Sequence, residues 1–289
     1  MTTVAFGAHG AHGAHGAHGA HGAPDAPVAT AADGDLPAQL AAAHEPGSVM
    51  IIGELHGTQE TPALVHALLA RLPRHSPAVF GLEIPRQEQA RIDAFLASDG
   101  GADARAALVA GAFWQRPVER SDGRRSQAML GLLEAIRQQG AGGRIRVVAL
   151  DDQDFFADDA DRQAGLAAGI ARLRQQTASD AAVVVLLGNY HARLAAPDDV
   201  WSDGERLAAP PLPTAARIRG VQVIAVDVMA CGGGFWSCRS SDAPCAVVEL
   251  ATLCDAAGAP RLQRLDPHTA GYHLRVILPR LTPSPPVQP

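Results

Sequence analysis

At 289 residues with 47% apolar side chains, the chain is long enough to bury one large α/β core or two modest ones. Its formal charge of −6 offers no basic footprint for nucleic acid or anionic lipid. All 24 basic residues are arginine, which excludes a lysine Schiff base and a Gly-x-x-x-x-Gly-Lys phosphate loop.

Residues 8–22 hold five copies of Ala-His-Gly, with histidines at 9, 12, 15, 18 and 21. A period of three matches polyproline II, which would align the imidazoles for weak capture of transition metals. A disordered tail is the plainer expectation, so residues 1–35 are read as tail and linker and 36–289 as a single α/β domain. An apolar strand over 49–53 precedes a helix expected to be capped by Thr61, with Pro62 in its first turn. Leu64, Leu68, Leu69 and Leu72 form the apolar stripe of that helix. A strand over 78–84 carries Glu83 near its end. A helix over 86–97 turns Ile92, Phe95 and Leu96 inward, and one over 126–138 buries Met129, Leu132, Leu133 and Ile136 before Gly140 stops it.

A strand over 145–150 ends at Asp151, and a helix over 162–175 leads to a strand over 182–187. Strands over 221–228, 246–250 and 273–279 complete the set. Strands separated by helices predict an α/β fold: a layered, mainly parallel β-sheet with helices on both faces. An irregular Cys-containing C-terminal region follows. Residues 195–213, with four prolines, read as a lid or small subdomain.

Two short motifs share the pattern Gly-x-x-His, and each follows an apolar run. They are Gly53-Glu54-Leu55-His56 and Gly188-Asn189-Tyr190-His191. In open parallel sheets, ligand sites form outside the carboxyl ends of the strands, where both motifs fall. If the backbone stays extended there, Glu54 and His56 point to one side, and so do Asn189 and His191. Glu83 and Asp151 stand at neighbouring strand ends. Two histidines and these carboxylates are raw material for a hydrolytic or metal-binding site.

Together with Gly81-Leu82-Glu83-Ile84-Pro85, the two motifs resemble the superfamily containing erythromycin esterase-like hydrolases, Tiki-type metalloproteases and ChaN-type haem-binding proteins. The resemblance spans about residues 48–193. It implies water activation by Glu54, His56, Glu83 and His191, with or without a metal. The esterase-type motif usually carries one more residue between Glu and His-Gly, so a macrolide substrate is not carried over. The mechanism expected is that His56 acts as general base on water, oriented by Glu54 or Glu83, while Asn189 or His191 stabilises the oxyanion. In a metal-assisted version, His56, His191 and Glu83 bind a divalent ion. The alternative is a ChaN-like haem carrier, with Tyr190, Tyr272 or a motif histidine as axial ligand. An aromatic content of 4% leaves few residues to stack on a porphyrin.

Arg124, in the turn Asp122-Gly123-Arg124-Arg125-Ser126, and Arg162, opening a helix, are candidate clamps for a substrate carboxylate or phosphate. Asp151, Asn189 and Tyr190 join them as candidate substrate contacts. The acidic run after Asp151 lacks the glycine and final glutamate of an EF-hand, and no Gly-x-Ser-x-Gly elbow occurs. The expected partner is a small-molecule or peptide substrate; nothing here sets an oligomeric state.

No apolar run reaches the ~18 residues of a membrane span, and the N-terminus lacks the charged and apolar regions of a secretory signal. That favours the cytoplasm if this N-terminus is authentic. Cys231, Cys238, Cys245 and Cys254 cluster near the C-terminus and favour export if they pair. Buried free thiols and a disulfide both stay open; for a single bridge, Cys238–Cys245 is the expected pair.

Overall fold

The computed structural model describes residues 35–73, 76–118, 121–139, 144–151, 159–197, 201–202, 205–206, 210–238, 245–255 and 258–288. The Ala-His-Gly tail and the acidic run after Asp151 lie outside them, as do Gly140–Gly143 and parts of 195–213. The elements run α1 (Leu36–Ala43), β1 (Val49–Glu54), α2 (Glu60–Arg71), β2 (Ala78–Pro85), a 3-10 turn (Arg86–Glu88), α3 (Gln89–Leu96), α4 (Ala102–Val109), α5 (Gln127–Gln139) and β3 (Ile145–Asp151). They continue through α6 (Asp159–Gln175), β4 (Ala182–Gly188), β5 (Trp201–Ser202), β6 (Glu205–Arg206), α7 (Thr214–Arg217) and β7 (Val223–Ala230). The last are β8 (Gly233–Ser237), β9 (Ala246–Leu250), β10 (Arg261–Arg264), α8 (Pro267–Ala270) and β11 (Leu274–Leu278).

Seven strands form the main sheet, in the order β10-β11-β7-β1-β4-β2-β3. All neighbours are parallel except β10, which runs antiparallel to β11. Strands buried on both faces need continuous apolar runs, and β1 and β4 supply them. Met50, Ile52, Val184 and Leu186 pack against α1–α5 on one face, while Ile51, Val183, Val185 and Leu187 meet α6 and α7 on the other. The expected mainly parallel α/β sheet with helices on both faces is what forms.

This topology places the site. Strands β1, β4, β2 and β3 are consecutive neighbours, so their carboxyl ends lie side by side. In register, Glu54 faces Gly188, Leu82 faces Leu186, and Pro85 faces Asp151. The four strand ends that carry polar groups in the sequence therefore make one edge.

Some local expectations change. Thr61 is not the cap of α2: the helix starts at Glu60 after Gln59, and Thr61 is buried within the first turn. The C-terminal segment sets that start. Gln59 N donates to Thr282 O at 3.0 Å, and Thr282 N donates to Glu60 Oε2 at 2.8 Å. The strand over 246–250 forms as β9, but it pairs with β8 in a separate antiparallel hairpin rather than joining the main sheet. Both halves of the Cys cluster are bridged, Cys231 to Cys254 and Cys238 to Cys245. Among the described residues no helix is long and apolar enough to cross a membrane.

Candidate active site

Glu54 is the last residue of β1, and the chain bends immediately after it. The bend brings His56 back onto its neighbour, with Nδ1 2.8 Å from Glu54 Oε1. An ionised carboxylate only accepts, so Nδ1 carries the proton and Nε2 is left facing the site. Nε2 lies 3.7 Å from Glu83 Oε2. Gly188 makes this approach possible: a Cβ there would stand 2.9 Å from His56 Nε2 and 3.4 Å from His191 Cδ2. Both motif histidines thus pack over the second motif's glycine.

The second motif does not stay extended. Strand β4 ends at Gly188, and residues 189–192 turn. Asn189 is fixed through its backbone, its N donating to Glu54 O at 2.8 Å and its carbonyl accepting from Tyr272 Oη at 2.7 Å. The turn swings His191 inward. Its Nδ1 lies 2.9 Å from Oε1 of Gln163, which also accepts from Thr214 Oγ1 at 2.6 Å. Oε1 is an acceptor, so Nδ1 holds the His191 proton and Nε2 accepts from Arg162 Nη1 at 3.1 Å. Neutral His191 therefore has no spare N–H for an oxyanion, contrary to the expectation for it.

Glu83 is the hub. Its Oε2 accepts from Gly188 N at 2.7 Å, and its Oε1 accepts from Arg162 Nη2 at 2.5 Å and lies 3.5 Å from both Arg124 Nη1 and His191 Nε2. Asp151 Oδ2 binds the same two cations, Arg124 Nη1 at 2.8 Å and Arg162 Nη2 at 2.9 Å. Asp122 holds Arg124 Nε at 2.7 Å. The arginines expected to clamp substrate are thus turned onto internal carboxylates. Arg124, 4% exposed, is fully committed to that role, whereas Arg162 and the two histidines keep an edge toward solvent.

Burial disfavours charge on every group here, and the neighbours decide which charges survive. Burial opposes the Glu83 carboxylate, but His191, Arg162, His56 and Arg124 hold its pKa well below the usual range. Burial also opposes charge on His56, yet Glu54, with Glu83 and Asp122, raises its pKa above 6.5. For His191 burial prevails: despite Glu83, the adjacent arginines and His56 help push it down to about 4. The site holds one imidazole that takes a proton readily and one that stays neutral. In an NMR titration we expect one ring to titrate near pH 4 and another above 6.5; two ordinary histidine curves would contradict this assignment. Stability follows the same signs. The His191 contribution is present above pH 6.5 and lost as pH falls toward 4, whereas the His56 contribution is present below pH 6.5 and lost as pH rises through its raised value.

The donor set does not fit a divalent ion. The Arg162 guanidinium bonds to both His191 Nε2, at 3.1 Å, and Glu83 Oε1, at 2.5 Å, and a divalent ion on these two atoms would stand against it. Among the described residues no three His, Cys, Asp or Glu side chains are arranged as a metal site. Of the candidate haem ligands, the two tyrosines are engaged in hydrogen bonds. Tyr190 donates its hydroxyl to Pro211 O, and Tyr272 is 2% exposed with its hydroxyl on Asn189 O.

Three contributors escape a reading of the sequence by motif. Gln163 orients His191, and its signal is a polar residue in register with the buried Leu166 and Ile170 of α6. Asp122 sits in the turn noted for Arg124 and holds that arginine. The third is the brace on the His56 bend. Gly57 O accepts from Trp236 N of β8 at 3.0 Å and from Ser284 N of the C-terminal segment at 2.7 Å. Gly57 has φ +74°, and a Cβ would lie 2.2 Å from Trp236 O, so only glycine fits there. The same hairpin reaches the Arg124 turn through Cys238 N, which donates to Ser121 O at 3.2 Å.

No protein-family model matches the sequence, and no curated protein matches it. Solved structures do share its fold. A mutant erythromycin esterase, EreC, in its open conformation superposes with a TM-score of 0.58 at 12% identity, over 82% of this chain and 91% of that one. A succinoglycan biosynthesis protein gives 0.53 at 9% identity over 85% and 91%. A Bacillus cereus protein gives 0.51 at 12% identity over 84% and 91%. The chain is similar in fold to these proteins, the erythromycin esterase among them, a likeness that the three motifs lead one to expect.

Proposed function

We propose that the protein is a hydrolase that cleaves an ester or amide bond with water as nucleophile. The observation that carries this reading is the Glu54–His56 pair. A carboxylate fixes the imidazole through Nδ1 and leaves Nε2 directed at the site, the arrangement a general base requires. Water held at Nε2 of neutral His56 loses its proton to that nitrogen as it attacks the carbonyl. The imidazolium formed is stabilised by Glu54 and Glu83, and it can return the proton to the leaving group. Developing negative charge on the carbonyl oxygen falls to Arg162, the cation with a solvent-facing edge, in place of His191. His191 positions Arg162. No step passes through a metal. The two disulfides fit an oxidising, exported setting.

The test is single-turnover hydrolysis of an ester and amide panel in ¹⁸O water. Direct attack puts one solvent oxygen into the acid product with no covalent enzyme species. An acyl-enzyme trapped by mass spectrometry, or no hydrolysis of any panel member, would overturn the reading.

A further inference from the structure

The hairpin of β8 and β9 stands apart from the main sheet, and a disulfide closes each of its ends. A two-stranded ribbon holds itself weakly in water, and β9 adds little burial: Val248 is buried, while Ala246, Val247 and Glu249 are exposed. At the base of the hairpin, Cys231 is bonded to Cys254 and donates its N to Leu278 O of β11 at 2.9 Å. At the tip, Cys238 is bonded to Cys245, and this end meets the turn that carries Asp122 and Arg124. Cys238 N donates to Ser121 O at 3.2 Å. Both sulfurs of the bridge lie 3.1 Å from Val118 O, which also accepts from Ser121 N at 3.1 Å. Two residues before Cys238, Trp236 N holds Gly57 O at 3.0 Å. Gly123 joins the two anchored segments: a Cβ there would stand 2.9 Å from His56 Cβ and 2.6 Å from Gly57 N. The hairpin tip, the Arg124 turn and the His56 bend are therefore in direct succession.

The two bridges close loops of different size. Cys231 and Cys254 are 23 positions apart, Cys238 and Cys245 only 7. A shorter loop takes less entropy from the unfolded chain, so opening the tip bridge costs the fold less than opening the base. What the tip bridge fixes is local, and it lies beside the site. We infer that the Cys238–Cys245 disulfide is a redox control on this site: closed, it holds the Asp122–Arg124 turn and the His56 bend in place, and a dithiol that opens it releases them. Cys238 is 1% exposed and Cys245 half-buried, so the reductant meets Cys245 first. A thiolate of the dithiol attacks Cys245 Sγ, and the S–S electron pair leaves on Cys238 Sγ, which takes up a proton. The second thiol of the reductant then displaces Cys245 from the mixed disulfide. The protein gains two thiols while the dithiol becomes a disulfide, a transfer of two electrons and two protons. An oxidising setting thus completes the site. The kinetic part of this inference rests on the proposed role of His56; the structural part rests on the contacts alone.

The test compares the full chain oxidised, treated with dithiothreitol and reoxidised, with alkylation and mass spectrometry reporting which bridge is open. The first readout is the His56 ring titration by NMR, which needs no substrate. Its raised value depends on Glu54, Glu83 and Asp122, so opening the tip bridge should move it down toward 6.5, and reoxidation should restore it. The second readout is the hydrolytic rate, expected to fall about tenfold as the base loses its alignment. Cys238→Ser/Cys245→Ser should reproduce both changes with its circular dichroism spectrum intact. Cys231→Ser/Cys254→Ser should leave His56 titrating as in the wild type. An unchanged His56 titration with the tip bridge open, the same shift in the Cys231→Ser/Cys254→Ser control, or global unfolding of Cys238→Ser/Cys245→Ser would overturn the inference. A reversible shift in the titration without hydrolysis of any ester or amide would count against the hydrolytic reading and leave the redox control standing.

Discussion

Replacing Glu83 by glutamine should lower the melting temperature by roughly 10 °C, the effect of removing one partner from a buried charge cluster worth about 3–5 kcal/mol. The change keeps the shape and the acceptor for Gly188 N, so lost volume is not the cause. What disappears is the charge facing Arg162 at 2.5 Å and Arg124 at 3.5 Å. Among the described residues, Asp151 is then the one carboxylate left on Arg162, and it shares Arg124 with Asp122. The pH dependence sharpens the expectation. Because Glu83 titrates well below 4.5 in the folded protein, its contribution is whole above pH 4.5 and lost as pH falls through the folded value. Glu83→Gln should therefore lose most stability at neutral pH and show a shallower decline in acid. Differential scanning calorimetry between pH 3 and 8 checks both. A wild-type melting temperature in this variant would mean that Glu83 does not hold the cluster together.

The strands at the centre of the fold are legible because burial on both faces leaves an unbroken apolar run, as in Val183-Val184-Val185-Leu186-Leu187. Their order is set by long-range pairing, which no local pattern encodes, yet the motifs still mark four ends that become one edge. The contacts between these ends are less legible. Periodicity places Glu54 and His56 together because a bend soon after a strand preserves their side. It expects Asn189 and His191 to share one side, but β4 stops at Gly188 and the turn sends Asn189 into backbone contacts while still delivering His191 to the cluster. Arg124 and Arg162 read as substrate clamps because sequence shows charge but not the carboxylates that fold against it. The strand over 246–250 is legible, but its partner β8, the hairpin the two form, and α4 are not. Glycine-rich Gly232-Gly233-Gly234 hides strand propensity, and β10, Arg261–Arg264, is a short edge strand with an arginine at each end. The brace on Gly57 joins it to Trp236 and Ser284, both far along the chain from the bend they hold.

In the proposed mechanism, His56 is the group on which the chemistry turns. Its Nε2 is the nitrogen aimed at the site, and no other described histidine has a carboxylate on its Nδ1 together with a raised pKa. His191 cannot replace it. Burial and the arginines hold that ring neutral down to about pH 4, and its lone pair is engaged by Arg162. The wild-type rate should therefore rise as pH passes the raised His56 value above 6.5, where the free base appears. Truncation to alanine removes the proton acceptor and leaves the acid–arginine cluster around Glu83 and Asp151 in place. The most direct measurement is the hydrolytic rate of His56→Ala against wild type, with calorimetry confirming equal folded fractions. A drop of about 10²–10⁴-fold, with loss of the rising pH limb, is the expected result. An unchanged rate in a folded His56→Ala protein would contradict a water-activating site built on this histidine.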